Sequence, residues 1–309
     1  MSDRSNRVPD IVLTVVFCVL FAVGSFCDRD ISLALYTPGS IPNLIISTVG
    51  QYTFFSAFVF FAGVLARQAA VCETITEKRR LLYKILCGYL ALSTAVIGST
   101  AELHYECIGA FFPGLDFSLL FIFLFALIFM YPLFFMGYAV GPRSFDKTLV
   151  TRLIKILIYI AVGASLVGVL KEVIFRPRFR VTLAGYEDIT FTPWYMPLNN
   201  ARELIEKYGF NKNELQSLPS GHSLMGIAHI YIFPALSWVF PKLKDKGKLL
   251  WVVGLIYGLA VIASRLLLGA HHLSDVSAGA LLSILLGIFI LKTPAKADRF
   301  IGKPKDQAI

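Results

Sequence analysis

Charged side chains are scarce in this sequence of 309 residues, since Asp, Glu, Lys and Arg together make up only 16% of it. Soluble domains average about 25% of these residues, and disordered chains are rich in charge and poor in apolar side chains. Here the apolar fraction is 56% and the mean hydropathy is +0.69. The composition therefore excludes an ordinary cytosolic enzyme, a disordered chain and a nucleic-acid-binding basic tail. It indicates a polytopic membrane protein.

Cysteine is also sparse, and none of the five cysteines forms a C-x-x-C pair. Most of them lie in apolar runs, where a thiol behaves as a small hydrophobic group. The sequence therefore indicates neither a metal site nor a disulfide framework. One bridge, between Cys27 and Cys107, is left open as a minor alternative, because both residues fall near the same predicted face of the membrane.

Uncharged runs recur along the chain, and several have the length of about 20 residues that crosses a bilayer. They predict eight spans and no soluble domain, so that residues 1–309 form a single integral membrane domain. Four spans fall in 1–150 and four in 151–292, with a long loop at 172–218 and a tail at 293–309. The predicted spans, with a loop at 31–42 between the first two, are 11–27, 44–66, 82–101, one within 117–142, 150–170, 222–240, 249–265 and 275–292.

The distribution of the 29 Lys and Arg residues predicts the orientation, because cytoplasmic segments carry an excess of both. With both termini in the cytoplasm, most of these residues fall on the cytoplasmic side. The exceptions are concentrated in the loop at 172–218. No A-x-A-like cleavage site follows the first apolar run, so we expect it to be retained as a helix rather than removed as a signal peptide.

Ionisable residues at the ends of membrane spans are candidates for a functional site. Three such clusters fall on the predicted outer face. They are Lys171 with Arg178 after the fifth span, Pro219-Ser220-Gly221-His222 at the start of the sixth, and Ser264-Arg265 with His271 and Asp275 between the seventh and the eighth.

The residue types in these clusters suggest a phosphate site. Guanidinium groups match phosphate oxygens in pairs, and a helix that starts at Gly221 would offer free N–H groups and the positive end of its dipole. One histidine can attack phosphorus while the other protonates the leaving group. Asp275 follows His271 by four residues, a spacing that on a helix would let the carboxylate orient the imidazole.

The three clusters resemble the signature motifs of the type 2 phosphatidic acid phosphatase superfamily, K-x6-R-P, P-S-G-H and S-R-x5-H-x3-D. The second and third motifs are complete in this sequence. In the first, Phe179 stands where the family usually has proline, and an Arg176-Pro177 pair lies two residues earlier. Spacing favours Arg178 as the arginine of this motif, with Arg176 as the alternative.

The resemblance implies an all-α, polytopic transmembrane bundle with the phosphatase core in its C-terminal half. It implies that His271 is the nucleophile, forming a phosphohistidine, and that Asp275 orients it. His222 would act as general acid and then as general base. No metal or other cofactor is expected, because cationic side chains would take the place of a metal clamp. The phosphoryl group would be held by Lys171, Arg178, Ser220, Gly221 and Arg265.

The function that the resemblance implies is a lipid phosphatase or diphosphatase at the extracytoplasmic face of a bacterial cytoplasmic membrane. Its substrate would be a lipid phosphate of the undecaprenyl pyrophosphate, phosphatidate or phosphatidylglycerol phosphate class, and no residue decides among them. Two alternatives stay open: a phosphotransferase that passes the phosphoryl group to a lipid acceptor, and a non-catalytic lipid binder or transporter. No nucleic-acid partner is expected, and the oligomeric state is left open.

Two histidines outside the motifs are expected to be structural. His272 would point away from the site that His271 faces, and His229 would be a buried, hydrogen-bonded side chain. The loop at 172–218 is rich in aromatic residues. These fit either an interfacial belt or a cover over the substrate headgroup, and the sequence does not separate the two.

Overall fold

Long helices dominate the computed structural model, which describes residues 7–112 and 114–293. The chain is 75% helical, with no strand in the described part, so the predicted all-α fold is confirmed. Of the predicted tail at 293–309, only the first residue is described. Eight helices correspond in order to the eight predicted spans: α1 Val8–Leu35, α2 Ile41–Val71, α3 Glu77–Glu102, α4 Leu119–Val140, α5 Lys147–Val173, α6 Gly221–Ala235, α7 Gly247–Leu267 and α8 Leu273–Leu291.

Seven of the helices in the described part of the chain are long and apolar enough to cross a membrane, which indicates an integral membrane protein. The exception is α6. With 15 residues it is about 22 Å long, whereas the hydrocarbon layer is about 30 Å thick. The prediction of a full span at 222–240 is therefore wrong in length. The α-helix ends one residue after Pro234, which lacks the N–H of a helical hydrogen bond, and continues as a 3-10 turn, Leu236–Trp238.

The first connection is also shorter than predicted. Helix α1 continues to Leu35, so residues 36–40 alone form the loop that was expected at 31–42. The sequence predicts a helix end at Asp28 because a charged residue interrupts the apolar run there. In the structure Asp28 is buried and accepts hydrogen bonds from Arg176 and Ser274. A charge that is paired inside the bundle does not end a helix.

Helix α6 lies at the centre of the bundle, and every residue from Gly221 to Ile232 is buried. Its neighbours include α7, α8, α2 and α5. A Cβ on Gly279 of α8 would lie 2.2 Å from the carbonyl oxygen of Ser220. On the other side, a Cβ on Gly24 of α1 would lie 2.5 Å from the backbone nitrogen of Ser274. These glycines let the start of α8 touch the backbones of α6 and α1.

The segment between α5 and α6 folds over one end of the bundle. It contains the short helices Phe179–Thr182 and Ala201–Tyr208 and has a small apolar core of its own. Trp194 packs on Phe21 of α1, and its indole N–H donates to Ser25 Oγ at 2.8 Å. The segment therefore rests on α1 as well as on the helices that it connects.

One end of the bundle collects the ends of α1, α3, α5 and α7 and the starts of α2, α6 and α8. Hydrogen bonds join these helix ends, such as those from Arg265 of α7 to Ser47 of α2 and from Ser274 of α8 to Asp28 of α1. All the motif residues lie at this end.

Candidate active site

The three sequence clusters meet at the end of the bundle just described. Each motif residue is placed by a helix terminus or by a loop next to one. The positive charges of Arg178, Arg265 and Lys171 all act on His271, which brings the three clusters into one site. The positions are the last turn of α5 for Lys171, the segment after it for Arg178, the start of α6 for Ser220, Gly221 and His222, the last turn of α7 for Arg265, the loop before α8 for His271, and the first turn of α8 for Asp275.

A short backbone pairing holds the first motif against the segment that leads to the second. The N–H of Arg176 donates to the carbonyl of Leu215 at 2.6 Å, and the N–H of Ser217 donates to the carbonyl of Arg176 at 3.0 Å. This isolated parallel bridge fixes Ser217 next to the loop before α8.

His271 has one ring nitrogen bound and the other free. Its Nδ1 lies 2.7 Å from the carbonyl oxygen of Ser217. A carbonyl only accepts hydrogen bonds, so Nδ1 carries the proton and Nε2 keeps its lone pair. Nε2 is buried and has no hydrogen-bond partner in the part of the chain that the structure describes. Burial, together with the positive charges of Arg178 and Arg265, holds the pKa of His271 well below its ordinary value of 6.5, so the ring is neutral at pH 7.

The Asp275 carboxylate makes no hydrogen bond to His271 among the described residues, contrary to the expectation from their spacing. Its carboxylate accepts hydrogen bonds from the His272 backbone N–H at 2.9 Å, from the Ser217 hydroxyl and from Arg176 at 2.5 Å. The physical reason is that His271 precedes α8, so the helical spacing does not apply to it. Asp275 caps the helix and fixes Ser217, which in turn orients His271.

The two candidate arginines of the first motif have different surroundings. Arg176 is fully buried and joins Asp28 of α1 to Asp275 of α8, at 2.8 and 2.5 Å. Arg178 points into the cluster that contains Arg265 and donates to the carboxylate of Glu106. Arg178 therefore lies in one cluster with Arg265, whereas Arg176 links α1 to α8, and the assignment of Arg178 to the first motif stays a prediction.

His222 is the second residue of α6 and is buried. Its Nε2 lies 3.6 Å from the thiol of Cys107, which belongs to the loop after α3. The thiol also accepts a hydrogen bond from Gln51 of α2 at 3.5 Å. The side chains of Gln51 and Cys107 thus connect α2 and the loop after α3 to His222, the predicted general acid.

Ser220 and Gly221 open α6, as the second motif predicts. The Ser220 hydroxyl caps the helix by accepting from the Ser223 N–H at 3.3 Å, and it also receives the Ser223 hydroxyl at 2.9 Å. The backbone N–H of Ser220 donates to the Asp275 carbonyl at 3.0 Å. The cap leaves the positive end of the helix dipole at the site.

A carboxylate from outside the motifs lies among the arginines of the site. Glu106 Oε1 accepts hydrogen bonds from Arg178, from Arg180 at 2.7 Å and from Arg265 at 2.9 Å. Burial alone would raise the pKa of Glu106, but the charges of Arg178, Arg265 and Arg180 hold that pKa well below its ordinary value. Glu106 is therefore ionised and acts as the counter-ion of the cluster.

The sequence motifs do not include Glu106, Asp28, Ser217 or Cys107, so none of these four residues is predicted to lie in the site. The criterion that found the motifs, an ionisable residue at the end of a span, also applies to Glu106 and Asp28 and would have selected them. Ser217 and Cys107 carry no comparable signal, because their roles depend on the fold of two loops.

The remaining sequence predictions concern structural histidines, cysteines and metals. His272 binds Ser32 Oγ at 3.1 Å and the Pro177 carbonyl at 3.2 Å, and His229 binds Thr53 at 2.9 Å.

The five cysteines are all free thiols, so the bridge left open above is absent. Among residues 7–112 and 114–293, no group of three or more His, Cys, Asp or Glu side chains is arranged to hold a metal ion.

Comparison with known proteins gives one match. Residues 152–299 match the family model of the PAP2 superfamily, from the start of α5 beyond the end of α8, and this region includes all three motifs. No curated protein and no solved structure matches the chain. Residues 152–299 are thus identified as a PAP2 superfamily region, and this match supports a phosphatase-type, hydrolytic function.

Proposed function

We propose that this chain hydrolyses the phosphate or diphosphate headgroup of a membrane lipid through a phosphohistidine at His271. The observation that carries the proposal is the environment of His271. Nδ1 is held by the Ser217 carbonyl, the buried Nε2 has no hydrogen-bond partner among the described residues, and the positive charges of Arg178, Arg265 and Lys171 act on the ring. A neutral imidazole with a free lone pair is a nucleophile, and fixed positive charge stabilises a phosphoryl group under attack.

In the first step, Nε2 of His271 forms a bond to phosphorus while the bond from phosphorus to the leaving oxygen breaks. The leaving oxygen takes a proton from His222, so a lipid alcohol or a lipid phosphate departs. Arg178, Arg265 and Lys171 hold the remaining phosphoryl oxygens. The Ser217 carbonyl accepts the hydrogen bond from Nδ1–H throughout and stabilises the positive charge that the ring acquires.

In the second step, His222 takes a proton from water, and the water oxygen attacks phosphorus. The bond from phosphorus to Nε2 breaks, which releases inorganic phosphate and regenerates His271. The chemistry needs no metal, because guanidinium and ammonium groups supply the positive charge. We expect chelation of divalent cations to leave the rate unchanged.

A lipid substrate is supported by a cavity of about 440 Å³ that lies beside the site. Its polar lining includes Arg180 and Arg265, which belong to the cationic cluster. The lining also includes apolar side chains, among them Leu44, Phe111 and Leu268. A charged headgroup would bind the arginines while the chains follow the apolar walls.

The site would face the extracytoplasmic side of a bacterial cytoplasmic membrane, with both termini in the cytoplasm. The support is the charge distribution: the basic clusters at 78–84, 242–248 and 143–155 lie at the opposite end of the helices from the motif residues, and basic segments stay in the cytoplasm.

The test is phosphate release by purified protein in detergent, with EDTA present and with His271→Ala alongside. The substrates are undecaprenyl pyrophosphate, phosphatidate, phosphatidylglycerol phosphate and a soluble phosphate ester. Release from at least one of the lipids, insensitive to EDTA and absent in the variant, is the expected result. A folded protein that releases no phosphate from any of the three lipids would contradict the proposal. Release that requires a lipid alcohol as acceptor would identify a phosphotransferase instead.

A further inference from the structure

The anion-binding groups of the site already hold an anion that belongs to the protein. Two of the three cationic residues proposed to bind the phosphoryl group, Arg178 and Arg265, donate hydrogen bonds to Glu106 Oε1. A third guanidinium, that of Arg180, donates to the same oxygen at 2.7 Å. One carboxylate oxygen thus collects three charge-assisted hydrogen bonds, which is the arrangement expected for a phosphoryl oxygen.

The position of Glu106 is set by the N-terminal half of the chain, outside residues 152–299 that match the family. It lies in the loop between α3 and α4, which is folded into tight turns by hydrogen bonds from Cys107 and Gly109 to the carbonyl of His104, at 3.0 and 3.1 Å. Tyr105 anchors the loop by donating to the carboxylate of Glu214. The loop therefore places the Glu106 carboxylate within the arginine cluster. Only 7% of Glu106 is exposed.

A carboxylate and a phosphoryl group cannot both occupy these hydrogen bonds. A phosphoryl oxygen that takes the N–H groups now bound to Glu106 must displace its carboxylate, and two anions held side by side in the cluster would also repel each other. The cavity beside the site is lined by both Glu106 and Arg265. The cavity offers space into which the Glu106 side chain can move while the helices stay packed.

We propose that Glu106 is a resident ligand of the phosphate site, which the substrate phosphoryl group must displace. This inference rests on the proposed function, because it takes the arginine cluster as the phosphoryl site. Glu106 thereby sets the affinity for phosphate. The observed dissociation constant is the intrinsic one divided by the fraction of molecules in which the arginines are free.

The test is direct binding of inorganic phosphate and of orthovanadate to the purified protein in detergent. Glu106→Gln keeps the size of the side chain but removes its charge. We expect it to bind both anions at least about tenfold more tightly than the unmodified protein, which corresponds to the arginines being free in less than about a tenth of molecules.

The matched control is Glu214→Gln. Glu214 also pairs with Arg180, but its carboxylate makes no hydrogen bond to Arg178 or Arg265 among the described residues. Removing its charge alters the net charge of the cluster by the same amount, so a purely electrostatic effect would appear in both variants. We expect its dissociation constants to change less than threefold. Equal tightening in both variants, or weaker binding by Glu106→Gln, would overturn the inference.

A second measurement needs no variant and so does not depend on the folding of Glu106→Gln. If the anion displaces Glu106, the loop at 103–112 loses an anchor, and its backbone hydrogen exchange should accelerate when orthovanadate binds. Unchanged or slower exchange in this loop, with orthovanadate bound, would contradict displacement.

The two proposals fail in different ways. If the unmodified protein binds orthovanadate and its exchange is unchanged, the phosphate site stands and the displacement of Glu106 is wrong. If neither the unmodified protein nor Glu106→Gln binds either anion, the arginine cluster is not a phosphate site, and both proposals are wrong.

Discussion

Two adjacent histidines, His271 and His272, have opposite environments. Both ring nitrogens of His272 are bound, to Ser32 and to the carbonyl of Pro177. Within residues 7–112 and 114–293, His271 has only its Nδ1 bound, and its buried Nε2 has no hydrogen-bond partner. These contacts favour His271 over His272 as the proposed nucleophile, and His272 ties α1 to the first motif.

Substitution of the two histidines should separate these roles. His271→Ala should lower the rate of phosphate release by at least about a thousandfold, because it removes the nucleophile. His272→Gln, next in the chain, should retain the rate within about tenfold and lose stability instead. Phosphate release and the midpoint of thermal unfolding, measured on both variants, check this. A comparable loss of rate in both folded variants would contradict the assignment.

The charge state of His271 can be tested by its reactivity. Its pKa is held well below 6.5 by burial and by the neighbouring positive charges, so the ring should stay neutral as the pH falls through 6.5. Diethyl pyrocarbonate modifies neutral imidazole, and mass spectrometry locates the modified residue. The rate at His271 should stay constant from pH 8 to below 6.5 after correction for the reagent's decay. A midpoint at or above 6.5 would contradict the proposed environment.

At the residue scale, motif spacing predicts the residues of the site but not their contacts. His271, His222, Arg178 and Arg265 are all found in the sequence. The spacing predicts that Asp275 orients His271, whereas in the structure the Ser217 carbonyl binds its Nδ1. Side-chain spacing carries no information about a backbone carbonyl that is brought in by a loop 54 residues away.

At the scale of elements, α1 is part of the site rather than a separate anchor. Asp28 accepts hydrogen bonds from the Ser274 N–H at 2.9 Å and from Arg176 at 2.8 Å. It thus joins the last part of α1 to the start of α8 and to the first motif. All three residues are buried, and removing one partner of a buried ion pair is costly because the other charge is left unpaired.

Asp28→Asn should therefore lower the free energy of unfolding by about 3 kcal/mol and reduce phosphate release, since the start of α8 loses its anchor. Asp30→Asn is the matched control, because Asp30 lies on the same helix and is exposed. It should leave both quantities unchanged. Thermal unfolding and phosphate release in detergent measure the two effects. If Asp28→Asn is as stable and active as the control, α1 does not support the site.

Hydropathy predicts where the helices lie but not always where they end. The eight helices fall at the eight predicted positions, because apolar runs have to be buried in lipid or in the bundle. The predicted helix ends near Asp28 and Pro234 are wrong in opposite directions: the first is too early and the second is too late. A buried pairing lets the helix continue past Asp28, and α6 ends after Pro234 although the apolar run extends to Phe240.

At the scale of the whole molecule, both halves of the chain build the site. Residues 152–299 supply the motifs, and the helices before them supply Asp28, Ser47, Glu106 and Cys107. The sequence predicts the motif half through its resemblance to a family. It does not predict the contribution of the N-terminal half, because contacts between residues 72 to 246 positions apart follow from the packing of the helices.

The orientation of the molecule can be tested with single cysteines in a background that lacks the five native thiols. Lys212→Cys lies in the segment between α5 and α6, where Lys212 is 54% exposed. Lys244→Cys lies at an exposed position between α6 and α7. A membrane-impermeant maleimide should label the first in intact cells, and the second only after the membrane is opened. The reverse pattern would place the site in the cytoplasm.

The central claim is covalent catalysis by His271, and trapping the intermediate tests it most directly. Protein that is turning over its lipid substrate would be quenched in alkali, digested and analysed by mass spectrometry. The expected result is a phosphoryl group on His271 that forms during turnover and is absent from His271→Ala. Turnover with no phosphoryl group on His271, or with phosphate carried by another residue, would contradict the phosphohistidine mechanism.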